Sequence, residues 1–198
     1  MGATMPTPRA CGARASGPMT ARLVGVAALA LLVPGVVAAA PTPARKCAVA
    51  KLKAAAGRAA ALLGCHASAA KRGAAVDAAC LAKAHAKLAN AFTRAEAKGG
   101  CAGGDGAAVG TRLDAFVGAA ATALADGGTS EGRRCAALKL KATGKKASGK
   151  LACHARALGK SAAVDPTCLA KVETTFASVF AGADARRLHA LHLSIHGD

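Results

Sequence analysis

Four cysteines between Cys47 and Cys101 constrain the fold of this chain more than any other feature. Cys47 opens an alanine-rich helical run that Cys65 closes, and Cys80 opens a second run that Cys101 follows. The cysteines of the two runs lie 18 and 21 residues apart. Those spacings correspond to roughly 27 and 32 Å of α-helix, so the two lengths nearly match. The pattern predicts an antiparallel helical hairpin with two cysteines at each end.

Only one of the three pairings of these cysteines suits such a hairpin. The other two would join cysteines at opposite ends of the helices, beyond the ~7 Å between Cα atoms that a disulfide tolerates. We therefore predict the disulfides Cys47–Cys101 and Cys65–Cys80. Closing a loop of about fifty residues contributes ~4 kcal/mol to stability in the chain-entropy model.

The chain repeats this unit from Arg134, because adding 88 to each position reproduces the pattern without a gap. Such internal repetition indicates two copies of one structural unit. It places Cys135, Cys153 and Cys168 at the positions of Cys47, Cys65 and Cys80, and predicts the disulfide Cys153–Cys168. The counterpart of Cys101 is His189. Cys135 is therefore left over as a thiol, which points to a reactive site or to a disulfide-linked dimer.

The N-terminal segment has the features of a signal peptide. Arg22 precedes an apolar run from Leu23 to Val37, and small residues follow before Ala40. The run is short for a membrane span and suits the hydrophobic region of a signal peptide. We predict cleavage after Ala39 and an extracytoplasmic mature protein, periplasmic or secreted. The predicted organisation is a signal peptide (1–39), a first hairpin with a connecting helix (40–128) and a second, incomplete hairpin with a divergent tail (129–198).

Apolar periodicity and helix-end signals predict an all-α fold of two tandem antiparallel hairpins stapled by disulfides and joined by a connecting helix. The helices of the first unit are expected from about Ala44 to Ala67, from Asp77 to Gly99, and from Asp105 to about Ala125. Alanine dominates the apolar content, and the chain has no Trp, no Tyr and four Phe. The core should therefore be thin, because an alanine methyl contributes little on burial.

A formal charge of +17 favours anionic partners such as an acidic polymer or a membrane surface. The alternative is that the lysines only solvate the outer faces of alanine-rich helices. Nucleic acid is not the expected partner, because stacking aromatics and a recognisable reading element are missing. The strongest basic patches, and the predicted anion-binding residues, are Lys51, Lys53, Lys139, Lys141, Lys145 and Lys146.

The sequence carries no established catalytic motif, so we expect a non-enzymatic protein without a cofactor. One alternative is a thiol-dependent or metal-dependent protein that uses Cys135 and the C-terminal histidines His189, His192 and His196. Those histidines are spaced to share one helical face, and histidine is a common ligand of transition metals. The leading hypothesis is an exported basic helical module, structural or binding an anionic envelope or extracellular partner.

The second unit carries the motif KLKA, followed by GKKA, LACHA and VDPTCLAK, between Cys135 and Lys171. The first unit carries a less exact copy of this motif from Cys47 to Lys83, with Gly57 in place of the first lysine of GKKA, Arg58 in place of the second and Ala78 in place of the proline. The pattern resembles a group of uncharacterised exported bacterial proteins with cysteine-containing, Ala/Lys-rich helical repeats. That resemblance implies an exported helical repeat protein and no particular activity.

Overall fold

The computed structural model describes residues 40–125 and 128–196, with side chains up to Arg186. This part of the chain forms five α-helices and no β-strand, which confirms the all-α prediction. The predicted signal peptide lies outside the described residues. The helices are α1 (Pro43–Arg72), α2 (Ala78–Ala97), α3 (Gly106–Ala123), α4 (Ser130–Lys160) and α5 (Pro166–His196).

Equivalent signals in both units determine where the helices begin and end. Asp77 Oδ1 accepts a hydrogen bond from Ala79 N over 2.8 Å before α2, and Asp165 Oδ1 accepts one from Thr167 N over 2.8 Å before α5. Such capping satisfies backbone donors that the helix itself leaves unpaired. The helix α1 ends at Arg72, five residues later than the predicted end at Ala67, because the left-handed cap forms only at Gly73.

The long helices α1 and α4 pack against each other and form the centre of the molecule. A Cβ added at Gly144 of α4 would lie 3.3 Å from Leu63 Cβ, and one at Gly159 would lie 3.7 Å from Val49 Cγ2. Position numbers rise along α1 as they fall along α4, so the two helices are antiparallel. Small residues at the crossing let the backbones approach closely.

The two units are related by an approximate twofold axis perpendicular to this helix pair. Val49 of α1 lies near Gly159 of α4, and their counterparts at +88 and −88, Ala137 and Lys71, line one common groove. Because the axis is perpendicular to the α1/α4 helix pair, equivalent surfaces of the two units lie on the same side of that pair. The helices α2 and α5 pack on the outer sides of α1 and α4.

The structure contains the three predicted disulfides. Cys47–Cys101, Cys65–Cys80 and Cys153–Cys168 have Cα–Cα distances of 5.9, 5.9 and 6.0 Å. Two of them join equivalent helix turns, and Cys47–Cys101 fixes the segment after α2 to the start of α1. Disulfide stapling of the hairpins therefore follows from the geometry as well as from the spacing.

The core is as thin as the composition predicts. Among the described residues, Leu62 and Leu63 are the largest fully buried side chains, and alanines form most of the remaining interior. The helix α3 covers the first unit, where Val117 joins Leu62 and Leu140 in the apolar cluster. None of the described helices is long and apolar enough to cross a membrane.

Candidate functional site

Lys51, one of the predicted anion-binding residues, lies buried inside the first unit. Its Nζ is 2.8 Å from Glu96 Oε1 and 2.5 Å from Asp105 Oδ1, and it donates a hydrogen bond to the Ala102 carbonyl over 2.7 Å. The same ammonium group lies 5.2 Å from the centroid of the Phe92 ring, within cation–π range. These contacts bind α1 to the end of α2 and to the cap of α3.

The second unit repeats this arrangement at Lys139, the counterpart of Lys51. Lys139 is 2% exposed, its Nζ lies 2.7 Å from Asp184 Oδ1, and the Phe180 centroid is 4.9 Å away. Asp184 and Phe180 are the counterparts of Glu96 and Phe92. Both buried lysines therefore hold helices of the same unit together, and neither presents its charge at the surface.

The Lys51 cluster perturbs two pKa values. Burial disfavours the charged ammonium of Lys51, but hydrogen bonds to Asp105 and Glu96 outweigh burial and raise its pKa. The hydrogen bond from Lys51 holds the pKa of Asp105 below its usual range. Both groups therefore stay charged across the neutral range, and the cluster works as an ion pair between α1 and the start of α3.

Lys146 is also engaged within its own unit, whereas Lys145 is exposed. Lys146 Nζ lies 2.7 Å from Glu173 Oε2 and 4.1 Å from the Phe176 centroid. Lys150 pairs with the other oxygen of the same carboxylate. Hydrogen bonds from Lys146 and Lys150 lower the pKa of Glu173.

Arg58 occupies the position equivalent to Lys146 in the first unit. It is 6% exposed, and its Nη2 lies 2.6 Å from Asp114 Oδ1 of α3 and 2.7 Å from His85 Nδ1 of α2. A guanidinium has no acceptor, so His85 Nδ1 accepts this bond and the imidazole proton lies on Nε2. Arg58 thereby ties three helices together.

Lys53, Lys141 and Lys145 are the exposed lysines of the predicted set, and Lys53 and Lys141 lie in equivalent grooves. Lys141 shares a groove of about 460 Å³ with the exposed side chains of Lys71, Arg134 and Arg186. Within the described residues no ion pair engages these four groups. Glu131 is the acidic residue that lines this groove. We call this surface the second-unit groove.

The first unit has an equivalent groove. Lys46 lines two adjoining depressions, one with Lys53 beside Gly159 and the other with Arg94 and Lys98. We call this surface the first-unit groove. Adding 88 to Lys46, Lys53 and Lys98 gives Arg134, Lys141 and Arg186, so three basic positions recur in the two grooves.

Sequence reasoning missed most of these groove residues. A search for identical residues in the two copies finds Lys53 and Lys141 but passes over the pairs in which lysine replaces arginine. A comparison by charge would have found them. Lys71 carries no such signal, because it reaches the second-unit groove only through the packing of α1 against α4.

Cys135 does not lie at an accessible surface. It is 3% exposed, and its Sγ donates to Asp184 Oδ1 over 3.9 Å. An intermolecular disulfide through Cys135 would require α4 and α5 to separate locally, so the disulfide-linked dimer stays a prediction.

No three His, Cys, Asp or Glu residues within the described part of the chain come together as a metal site. His189, His192 and His196 lie on the last turns of α5, beyond the described side chains. Metal binding by this tail, like the thiol-dependent alternative, stays a prediction.

No family model matches this chain, and no curated protein or solved structure is significantly similar to it. The description of the two-unit helical fold and its basic grooves therefore depends on this chain's sequence and structure alone.

Proposed function

We propose that the mature protein is an exported, non-enzymatic module that binds a linear anionic polymer of the cell envelope or the extracellular space. The observation that carries this proposal is the second-unit groove, where the basic side chains Lys71, Arg134, Lys141 and Arg186 converge from three helices. Since no ion pair engages these four cations within the described residues, they can bind an anion without first breaking a native ion pair. The charge of +17 adds a long-range attraction for any polyanion.

The approximate twofold axis supports a polymeric ligand over a small anion. It places the first-unit and second-unit grooves on the same side of the α1/α4 pair. Lys53 and Lys71, one in each groove, are 18 residues apart on α1, which is roughly 27 Å of helix. A polymer longer than this distance engages both grooves, and the second contact benefits from a high effective concentration.

Export is part of the proposal. Three disulfides close the described units, and disulfides persist mainly in oxidising compartments. The apolar run from Leu23 to Val37 followed by small residues supports cleavage before Ala40. The ligand is therefore sought outside the cytoplasm.

Titration of residues 40–198 with fluorescently labelled inorganic polyphosphate tests the proposal. Each phosphate contact on a flexible polyanion contributes a slope of about −0.7 to the plot of log affinity against log salt. Four contacts give a slope of about −2.8, which is a loss of about 50-fold between 50 and 200 mM salt. Orthophosphate should compete only weakly, because it occupies one groove at a time.

Two variants with the same change in charge provide the control. Arg134→Glu changes the second-unit groove, whereas Arg112→Glu changes an exposed arginine of α3, outside both grooves. Arg134→Glu should weaken polyphosphate binding several-fold more than Arg112→Glu. Equal losses from the two variants, or binding that salt does not weaken, would contradict the proposal.

A further inference from the structure

The helix α3 covers one face of the first unit, and none of the described helices lies at the equivalent place on the second. Its small residues allow close approach, because a Cβ at Gly110 would lie 2.7 Å from Arg58 Nη1 and one at Gly106 would lie 3.2 Å from Phe92 Cδ1. Beneath it, Leu88 and Phe92 of α2 are only 3% and 4% exposed. The face that α3 covers therefore combines buried apolar side chains with the buried guanidinium of Arg58.

The equivalent face of the second unit is open in the described part of the chain. Phe176 and Phe180, the counterparts of Leu88 and Phe92, are half-buried, and their ring centroids are 4.5 Å apart. Lys146 of α4 lies over the Phe176 ring, and Lys150 of α4 pairs with Glu173, about one turn before Phe176 on α5. We call the surface formed by Lys146, Lys150, Phe176 and Phe180 the second-unit face.

The equivalent residues Leu140 and Leu52 also differ in exposure, depending on whether α3 lies nearby. Leu140 is 3% exposed and belongs to the cluster against which Ala120 and Leu124 of α3 pack. Its counterpart Leu52 is only half-buried. The counterparts of the apolar side chains that α3 shields, Phe176, Phe180 and Leu52, thus remain partly exposed.

Charge specifies what would cover the second-unit face. In the first unit α3 supplies Asp114 to the buried Arg58, and the apolar Leu62 lies beneath it. In the second unit Lys146 and Lys150, at the positions of Arg58 and Leu62, share the single carboxylate of Glu173. A helix that binds the second-unit face therefore needs two carboxylates. One would lie where α3 carries Asp114, and the other where α3 carries Val117, which packs in the same cluster as Leu62.

We propose that the second-unit face docks an acidic helix of a partner protein, with small residues one turn apart for close approach and carboxylates that meet Lys146 and Lys150. The site is distinct from the basic grooves. Lys53 of the first-unit groove lies about 140° around α1 from Arg58, which faces α3, at ~100° per residue. The same protein then has a polymer-binding side and a protein-binding side.

A crosslinked helical peptide with the sequence of residues 104–125 and the change Val117→Glu serves as the probe. Val117 belongs to the same cluster as Leu62, so a glutamate there is placed to meet Lys150 in the second unit. Helicity is first verified by circular dichroism, and binding to residues 40–198 is measured by fluorescence anisotropy in 150 mM salt. Saturable one-to-one binding is expected.

Lys150→Glu and Lys160→Glu are the matched variants, because they change the net charge equally and Lys160 is an exposed residue of the last turn of α4, ten residues or roughly 15 Å of helix from Lys150. Lys150→Glu should weaken peptide binding about fivefold or more, since an attraction becomes a repulsion, while Lys160→Glu leaves it unchanged. Phe176→Ala should weaken it too, and Arg134→Glu in the second-unit groove should not. No binding of the verified helix, equal losses from the two lysine variants, or a protein dimer that already buries Phe176 would overturn the proposal.

Discussion

Removal of each disulfide should destabilise the protein by an amount that rises with the logarithm of the length of the loop that it closes. Cys47–Cys101 spans 54 residues of sequence, whereas Cys65–Cys80 and Cys153–Cys168 each span 15. In the chain-entropy model a loop of the first length contributes about 4 kcal/mol and one of the second about 3 kcal/mol. At about 2–4 °C per kcal/mol for a chain of this size, the melting temperature falls by about 8–16 and 6–12 °C.

The assay is guanidinium unfolding of three double variants in which each pair of cysteines becomes alanine. All three are made in residues 40–198, which lack Cys11, with Cys135→Ala, so that no thiol remains that could exchange with the intact disulfides. The two short-loop variants form an internal control, because their loops are equal in length and lie at equivalent turns. They should lose the same stability within about 0.5 kcal/mol, and the Cys47/Cys101 variant about 1 kcal/mol more. A smaller loss for the long loop than for the short ones would refute the reasoning that these staples act through loop closure.

Three further predictions concern the helix crossing, a helix end and the Lys51 cluster. Gly144→Leu should lower the unfolding free energy by about 1–3 kcal/mol in urea titrations, because its side chain meets Leu63 at the α1/α4 crossing. Ser161→Gly should raise it by about 0.5–1 kcal/mol, since Ser161 has a left-handed φ of 55° that glycine adopts without strain. The depressed pKa of Asp105 stabilises the fold above the unfolded value near 4, and this contribution is lost as pH falls through the native pKa. The unfolding free energy should therefore decrease less on acidification in Asp105→Asn than in the unchanged protein. If both proteins lose the same stability, the Lys51–Asp105 ion pair does not cause the loss.

The fold could be predicted because its main signals, the cysteine spacing and the residues at helix ends, are local in the sequence. Cysteine spacing and helix-end residues such as Asp77 predicted the hairpins and three disulfides, because a helix has a fixed rise per residue and a disulfide tolerates only a short Cα separation. The end of α1 was predicted at Ala67, too early, because Ser68 begins a polar stretch that the helix continues through before Gly73 ends it.

Whether each lysine is buried in an ion pair or exposed could not be predicted from the sequence, because it depends on partners far away along the chain. Lys51 belonged to the predicted anion-binding set, yet Glu96 and Asp105 reach it from 45 and 54 residues along the chain. Glu96 and Asp184 are equivalent acidic positions, but they differ in residue type, so a comparison by identity passes over them. Basic residues that recur in both units therefore include internal contacts, such as Lys51 and Lys139, as well as exposed charges, such as Lys53 and Lys141.

The measurement that tests the account most directly is intact mass with non-reducing peptide mapping of the protein recovered from an exporting host. The account predicts a chain that starts at Ala40, with Cys47–Cys101, Cys65–Cys80 and Cys153–Cys168 joined. Cys135, 3% exposed, should react with an alkylating reagent only after unfolding. A chain that retains residues 1–39 and carries reduced cysteines would contradict both the export and the stapled fold.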